Sequence, residues 1–583
     1  MAYLSGIDYW IIVLYFILSL IIGFFYKGKA SKDIAGFFLG GRSLPWYVAG
    51  LSMVATTFAA DTPLAVTELV NQKGISGNWL WWNFLIGGML TTFFFARLWR
   101  RAGILTEIEF VAIRYEGKAA KFLRYFKSLY LGLFINTLIM AWVNLALISI
   151  LQVFFGISDS EVFWYVFGAM LITAFYSSLS GLLGVAILDM IQFVIAISGS
   201  IVLAYFVVHS SKIGGMNGLI AKLPTGSTDF LPHISNNVSS IGTTMSISIG
   251  ALLAYIGIQW WASWYPGAEP GGGGYVAQRM MSTKTEKDSF LATLFFQIFH
   301  YIVRPWPWII VALATIVLYP DLAADQKRIG YILAIKDFLP AGVKGLLLVS
   351  IFAAYMSTIS THLNWGASYL VNDFLLPVFK KISNNNSKQV FFSRVFTVGI
   401  MLLSAYVTTL VTSISGVWKF LLETGAGLGL VLILRWYWWR INIWAEISAT
   451  FFPFIFYAIS KFIIHLEFPA SYFFTVGLTT IGWIIVMYAT PPTKDQHLYE
   501  FVKKVRPGGW WIPVYEKYNI APPSNSVMYY NFINWISAVI GAYSLLFAIG
   551  KLLFKDYNSF FVLTFVSILS FGVTYKFVKK VAQ

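Results

Sequence analysis

Residues 353–364 read AAYMSTISTHLN and place hydroxyl groups inside an otherwise apolar segment, 344–378, that is long enough to cross a bilayer. A single serine or threonine hydroxyl can bond back to its own helix and carries little information. Five oxygen-bearing side chains within eight residues require a better explanation. They are Ser357, Thr358, Ser360, Thr361 and Asn364.

Helical spacing brings part of this set onto one face. Positions three and four apart are neighbours on a helix, so Ala354, Ser357, Thr358 and Thr361 form one stripe on what we call the hydroxyl helix (344–378). Hard cations bind oxygen ligands, and this stripe offers hydroxyls without a fixed charge. Small hydroxyl residues also let helices pack closely. The stripe alone therefore leaves a cation site and simple helix packing open.

The composition places the whole chain in a membrane. Of its 583 residues, 58% are hydrophobic and 11% are charged, against roughly 25% charged residues in ordinary soluble domains. Apolar segments of about 20 residues recur along almost the whole length. We therefore predict an all-α polytopic membrane protein with about fifteen membrane helices. They lie near 7–26, 45–70, 78–99, 123–155, 160–181, 184–209, 241–265, 289–319, 344–378, 389–413, 417–439, 444–465, 469–490, 530–554 and 557–578.

The net charge of +16 follows this predicted topology. With the N-terminus outside, most Lys and Arg residues lie in loops on the inner side, and the 97–127 loop is the richest. Such loops face anionic lipid, so the charge indicates a bilayer as partner and not nucleic acid. The topology also leaves the C-terminus inside. The absence of cysteine and of any trafficking extension favours a bacterial inner membrane as the location of this multi-pass protein.

Two segments cannot be continuous helices. VATTFAADTP (54–63) places Thr57, Asp61 and Pro63 in mid-span, and proline cannot donate a helical hydrogen bond. GIQWWASWYPGAEPGGGGYVAQRM (257–280) carries two prolines and five glycines between 266 and 274. Unwound backbone at membrane depth survives where it lines a cavity or is buried in protein. A proline kink or a flexible loop would be the plainer interpretations. The break at 54–63 would supply carbonyl ligands and so favours a cation at the hydroxyl helix, whereas 257–280 could equally form a gate or a bend that faces the substrate.

Two charged residues lie inside predicted helices. Asp189, in SGLLGVAILDMIQ, is about 7–8 Å into a helix that begins near 184, and a carboxylate at that depth is a functional candidate. It could instead reach the inner headgroups. Arg304, in FHYIVRPWPWII, could pair with a carboxylate of the protein or attract an anionic solute.

Three stretches resemble the sodium/solute symporter family, which includes sodium/proline, sodium/galactose and sodium/sialic acid symporters. They are LGGRSLPWYVAGLSMVATTFAAD (39–61), SSLSGLLGVAILDMIQ (177–192), and AAYMSTIS (353–360) with LVNDFLLPVF (370–379). The resemblance spans roughly residues 5–480. It implies a LeuT-type core of two inverted five-helix repeats, with extra N- and C-terminal helices.

The resemblance also implies the sodium ligands. The first sodium would take the carbonyls of Ala55, Phe58 and Ala354 and the hydroxyls of Ser357 and Thr358. A second sodium, as in the sialic acid symporter, would take three further side chains. They are Asp189, Ser360 and Thr361.

The resulting division of the chain has seven parts. Residues 1–44 form an extra helix and a cytoplasmic linker, 45–209 the first inverted repeat, 210–240 an extracellular loop, 241–439 the second inverted repeat, 440–490 two peripheral helices, 491–529 a cytoplasmic loop, and 530–583 a C-terminal helix pair.

The predicted function is sodium-coupled import of a small organic solute by alternating access, with one or two Na⁺ ions. Sugar, amino acid and carboxylate solutes stay open, and the oligomeric state is unassigned. The solute would bind at the breaks, near Thr57, Asp61, Arg304 and a tryptophan run. That run is Trp260, Trp261 and Trp264. In proline symporters a carboxylate stands where this chain has Thr57.

Three alternative functions are proton-coupled transport, sensing and membrane-bound catalysis. A proton-coupled transporter could use Asp189, and a sensor on the same fold would need a signalling domain that 491–529 is too short to form. A membrane enzyme is disfavoured because neither His300 nor His362 has a paired acid or base at useful spacing.

Overall fold

A computed structural model describes residues 4–30, 33–232, 245, 247–324, 326–411 and 414–582. Within these ranges the chain is built from helices, as predicted, and eleven are long and apolar enough to cross a membrane. These eleven are Gly6–Gly28, Ile75–Ala102, Gly117–Phe155, Val162–Val208, Glu286–Leu318, Val343–Val378, Asn386–Thr408, Ile443–Ile463, Ala470–Ala489, Asn525–Leu553 and Tyr557–Val581. A helix is the natural element here because it satisfies its own backbone groups away from water.

The predicted total of about fifteen membrane helices is not confirmed. The helices predicted at 160–181 and 184–209 follow each other within Val162–Val208, which we call the kinked helix, and they meet at Gly181, whose backbone is not helical. It bends at Gly181, where φ is 55° and ψ is −161°. Glycine adopts this backbone conformation without steric penalty, so the chain changes direction there without a loop.

The first predicted break is present. Helix Trp46–Thr56 ends at Thr57, and helix Thr62–Lys73 begins with a proline, Pro63, in its first turn. Proline is tolerated there because the first N–H groups of a helix have no intrahelical partner. We call Trp46–Lys73 the first broken segment.

The second predicted break is also present. The apolar helix Ile249–Ala262 stops, residues 263–273 are not helical, and helix Gly274–Ser282 follows. Together these residues, 249–282, form the second broken segment. The predicted helix 417–439 is likewise divided, into Ile414–Thr424 and Gly429–Tyr437. Interrupted helices fall short of membrane length, which is one reason for the lower count.

The hydroxyl helix, observed over Val343–Val378, lies at the centre of the bundle. Its residues from Leu347 to Tyr369 are all buried. The kinked helix packs against it, with the Tyr176 hydroxyl donating to the carbonyl of Met356 at 3.2 Å and the Ser177 hydroxyl donating to the carbonyl of Ser360 at 3.3 Å. A helix that is buried all round presents its polar groups to protein and not to lipid.

The C-terminal part of the chain packs on this core. In helix Asn525–Leu553 the Trp535 indole donates to the carbonyl of Ile86 at 2.9 Å, and the Tyr543 hydroxyl donates to that of Trp82 at 2.7 Å. The preceding polar stretch forms helices Asp495–Val505 and Ile512–Lys517. The seven-part division stays a prediction, and residues 233–240 of its extracellular loop lie outside the described residues.

Candidate ion and solute site

The hydroxyl helix meets the first broken segment through direct hydrogen bonds. The Thr358 hydroxyl lies 2.9 Å from the carbonyl of Thr56 and 3.1 Å from that of Ala354. The hydroxyls of Thr56 and Thr361 are 2.9 Å apart. Because the break ends the helix at Thr56, carbonyls that would bond along a continuous helix meet side chains of the neighbouring helix instead.

Asp189 joins this junction from the kinked helix. Ser52 donates to one carboxylate oxygen at 2.5 Å and Ser357 donates to the other at 2.6 Å. The side chain is completely buried, so it does not reach lipid headgroups. A buried carboxylate needs such partners to offset its loss of hydration.

Arg279 is a member of the junction that the sequence did not identify. Its guanidinium donates to the hydroxyls of Thr361 at 2.6 Å and Ser52 at 3.1 Å, and it lies 3.8 Å from Asp189. The sequence feature that could have identified Arg279 is the run of helix-forming residues, YVAQRM, directly after the glycine run. A short helix there, Gly274–Ser282, carries the arginine into the core.

The residues predicted for the first sodium lie on the two elements that meet at this junction, the first broken segment and the hydroxyl helix. Ala55, Phe58, Ala354, Ser357 and Thr358 are all at most 3% exposed. Their carbonyl and hydroxyl oxygens, beside the Asp189 carboxylate, form a chemically suitable set for a hard cation. The assignment of ligands stays a prediction.

The second predicted sodium set is less closely assembled. Asp189 and Thr361 both contact Arg279, whereas the Ser360 hydroxyl donates to the carbonyl of Ser357 in its own helix at 3.1 Å. A guanidinium thus stands between two of the three predicted ligands. A sodium ion at that position would require Arg279 to withdraw.

A partly open cavity lies beside the first break. The cavity has a volume of about 130 Å³, which is many times the volume that one water molecule needs. Thr57, Asp61, Arg304 and Thr358 line it. Seven aromatic side chains also line it, which are Trp81, Phe84, Trp142, Tyr265, Tyr275, Tyr301 and Trp418.

Arg304 is held at the cavity by three fixed contacts. One terminal nitrogen donates to the carbonyl of Val54 at 3.0 Å and to the Thr57 hydroxyl at 3.1 Å, and the other lies 3.3 Å from Nε2 of His300. An arginine can only donate, so Nε2 of His300 accepts and its Nδ1–H faces the Thr57 hydroxyl at 2.8 Å. His300 was missed as a site residue because its contact with Thr57 joins two helices that are far apart in the sequence.

Asp61 supplies the opposite charge. It is 2% exposed, lies between the two halves of the first broken segment, and its Oδ1 has no hydrogen-bond partner. The Nε atom of Arg304 is likewise buried without a partner. No ion pair within 4 Å joins Asp61 and Arg304 among the described residues, so each retains bonding capacity for a third group.

The predicted tryptophan run does not line this cavity. The indoles of Trp260 and Trp261 donate to the carbonyls of Ile256 and Gly257 in their own helix. Trp264 borders a different small cavity beside Glu107. The break follows the run, so the chain turns after it and presents Tyr265 to the cavity instead.

The profile of the Sodium:solute symporter family matches residues 37–448. Mouse sodium-coupled monocarboxylate transporter 2 is 26% identical over 429 residues, which are 70% of this chain and 64% of that protein. The sodium/glucose cotransporter of Vibrio parahaemolyticus is 24% identical over 463 residues, which are 75% of this chain and 81% of that protein. The chain thus spans just under two thirds of the mouse transporter. These relatives are transporters and not enzymes.

A solved structure of a Na⁺-coupled sialic acid symporter, in a substrate-bound outward-open state, shares the fold. The TM-score is 0.67, and the match covers 84% of this chain and 99% of that protein. Sequence identity is 19%, so the likeness concerns architecture.

Proposed function

This chain belongs to the sodium:solute symporter family, and we propose that it is a sodium-coupled transporter that imports a small organic solute by alternating access. The observation that carries the proposal is the junction of Thr358 and Ser357 with the broken backbone and Asp189. It offers oxygen ligands from three elements directly beside a solute-sized cavity. Broken helices facing a binding site near mid-membrane are the usual construction of secondary transporters.

In this proposal sodium binds the first predicted set. The ion would link the first broken segment to the hydroxyl helix and favour a state that accepts solute at the neighbouring cavity. Each sodium that enters down a potential of about 100 mV supplies about 2.3 kcal/mol. Coupling requires both ligands to favour the same state, and the coupling is reciprocal.

The second set, at Asp189, Ser360 and Thr361, is proposed to bind sodium only in a state in which Arg279 has left Thr361. Asp189→Ala tests this and also removes the counter-charge of Arg279. We expect a loss of about 3–5 kcal/mol in the free energy of unfolding, because a buried guanidinium is left unpaired. We also expect a less steep sodium dependence of thermal stability. An unchanged steepness would contradict the second site.

The cavity supports a narrower solute class, a zwitterion such as an α-amino acid. Arg304 and Asp61 present opposite charges to one aromatic-walled space, and each has an unpartnered buried atom. A carboxylate could bind the free Nε edge of Arg304, since guanidinium recognises carboxylate through paired donors. An ammonium group could bind Oδ1 of Asp61. A hexose would leave both charges without full compensation.

Uptake into proteoliposomes tests the function. We expect accumulation of labelled amino acids under an inward sodium gradient, and little uptake with potassium in its place. Hexoses and monocarboxylates serve as the comparison solutes. Uptake driven equally by an inward proton gradient without sodium would favour the proton-coupled alternative.

A further inference from the structure

Glu269 is a buried acidic residue that the transport site does not use. It lies in the glycine- and proline-rich part of the second broken segment and is 3% exposed. Neither carboxylate oxygen has a hydrogen-bond partner. The backbone N–H groups of Gly267 and of Glu269 itself lie near the carboxylate without forming a hydrogen bond to it.

A second carboxylate lies next to it. Glu107 is 5% exposed, and its Oε2 accepts from the backbone N–H of Gly274 at 2.5 Å and from the Tyr369 hydroxyl at 2.9 Å. A Cβ on Gly274 would lie 2.5 Å from Oε1 of Glu269, and one on Gly273 would lie 3.0 Å from both Glu107 oxygens. Both acids therefore pack against the same two glycines. Like charges this close oppose each other.

Among the described residues, no cationic side chain compensates the negative charge of Glu269. No Lys or Arg of the described ranges forms an ion pair with it, and the Lys127 ammonium near Glu107 is bound to Glu446. A buried carboxylate without a partner is very costly. A bound cation or a proton must therefore neutralise Glu269 in the folded protein.

A small cavity beside Glu269 shows what kind of group fits. The cavity has a volume of about 10 Å³, which is enough for roughly one water molecule or one small ion. Gln297, from helix Glu286–Leu318, also lines it, is 2% exposed, and has an unpartnered Oε1. Thr91 lines the cavity from a third element. The unpartnered atoms at Glu269 and Gln297 are all oxygens.

We propose that Glu269 and Gln297 bind an additional sodium ion in this cavity. The proposal rests on sodium being the coupling ion of the proposed function. An oxygen-only ligand set that includes a carboxylate suits a small hard cation. The ion would link the glycine-rich stretch to helices Ile75–Ala102 and Glu286–Leu318. It would therefore add to the number of sodium ions bound per protein, independently of the hydroxyl helix.

Direct counting of bound sodium tests this. The purified full-length protein in detergent is titrated with radioactive sodium in a scintillation proximity assay, as wild type, Glu269→Gln and Gln297→Leu. We expect Glu269→Gln to bind one sodium ion fewer at saturation. Gln297→Leu should weaken that ion about tenfold, as expected for loss of one ligand oxygen. Gln389→Leu, at another buried glutamine, is the matched control and should bind as wild type does.

If the wild type binds sodium, two results would overturn the proposal. In one, Glu269→Gln and Gln297→Leu bind sodium with wild-type number and affinity. In the other, Glu269→Gln alters only the pH dependence of binding, which would assign a proton to Glu269. If Glu269→Gln does not fold, Gln297→Leu alone decides. If Thr358→Val loses sodium binding while Glu269→Gln and Gln297→Leu keep it, the sodium site at Glu269 is excluded and the proposed function stands. A wild type that binds no sodium would defeat the proposed function as well.

Discussion

Thr358→Val is expected to raise the sodium concentration for half-maximal uptake at least about tenfold. Valine keeps the shape of threonine but lacks the hydroxyl that lies 2.9 Å from the carbonyl of Thr56. A hydrogen bond or ligand contact that involves a charge is worth about 1.5–3 kcal/mol, and 1.4 kcal/mol is tenfold in affinity. The measurement is initial uptake rate against sodium concentration in proteoliposomes at fixed solute.

Thr397→Val is the matched control for this variant. Thr397 is 1% exposed, and its hydroxyl donates to the carbonyl of Ser393 within its own helix. The two substitutions remove the same group from equally buried positions. Equal sodium dependence in both variants would show that the Thr358 hydroxyl serves packing and not sodium.

Arg304→Lys is expected to abolish measurable solute uptake while the protein still folds and responds to sodium. Lysine keeps the charge but loses the planar set of donors. Three contacts of Arg304, to Val54, Thr57 and His300, use the two terminal nitrogens, and its Nε is left for a solute carboxylate. Truncating one partner of a buried charge pair costs about 2–5 kcal/mol, a loss of roughly 30-fold or more in affinity.

The measurement pairs uptake with thermal stability. In sodium, adding an amino acid should raise the melting temperature of the wild type further. Arg304→Lys should lose this further rise and keep the rise caused by sodium. Asp61→Asn should behave in the same way, because it removes the charge offered to an ammonium group. Wild-type uptake in both variants would contradict the zwitterion proposal.

Much of the architecture could be predicted from the sequence. Apolar segment length predicted the membrane helices, and the residues of 54–63 and 266–274 predicted both breaks, because proline and glycine act locally. The number of helices could not be fixed in this way. Gly181 joins two helices directly, without a loop between them, and a break inside a membrane span shortens the helix on each side.

The candidate site was predicted only in part. The hydroxyl stripe and Asp189 were identifiable because polar groups at membrane depth are exceptional. Arg279 and His300 were missed as site residues because their roles depend on contacts between distant parts of the chain, to Thr361 and Thr57. The tryptophan run does not line the cavity, because aromatic composition does not reveal on which side of a break the cavity lies.

Thermal stability in different salts tests the claim that this protein binds sodium at the hydroxyl helix. The purified protein is melted in NaCl, KCl and choline chloride at equal ionic strength, as wild type and as Thr358→Val. We expect sodium alone to raise the melting temperature of the wild type, with most of that rise lost in Thr358→Val. Identical melting curves for the wild type in sodium and potassium would contradict the claim.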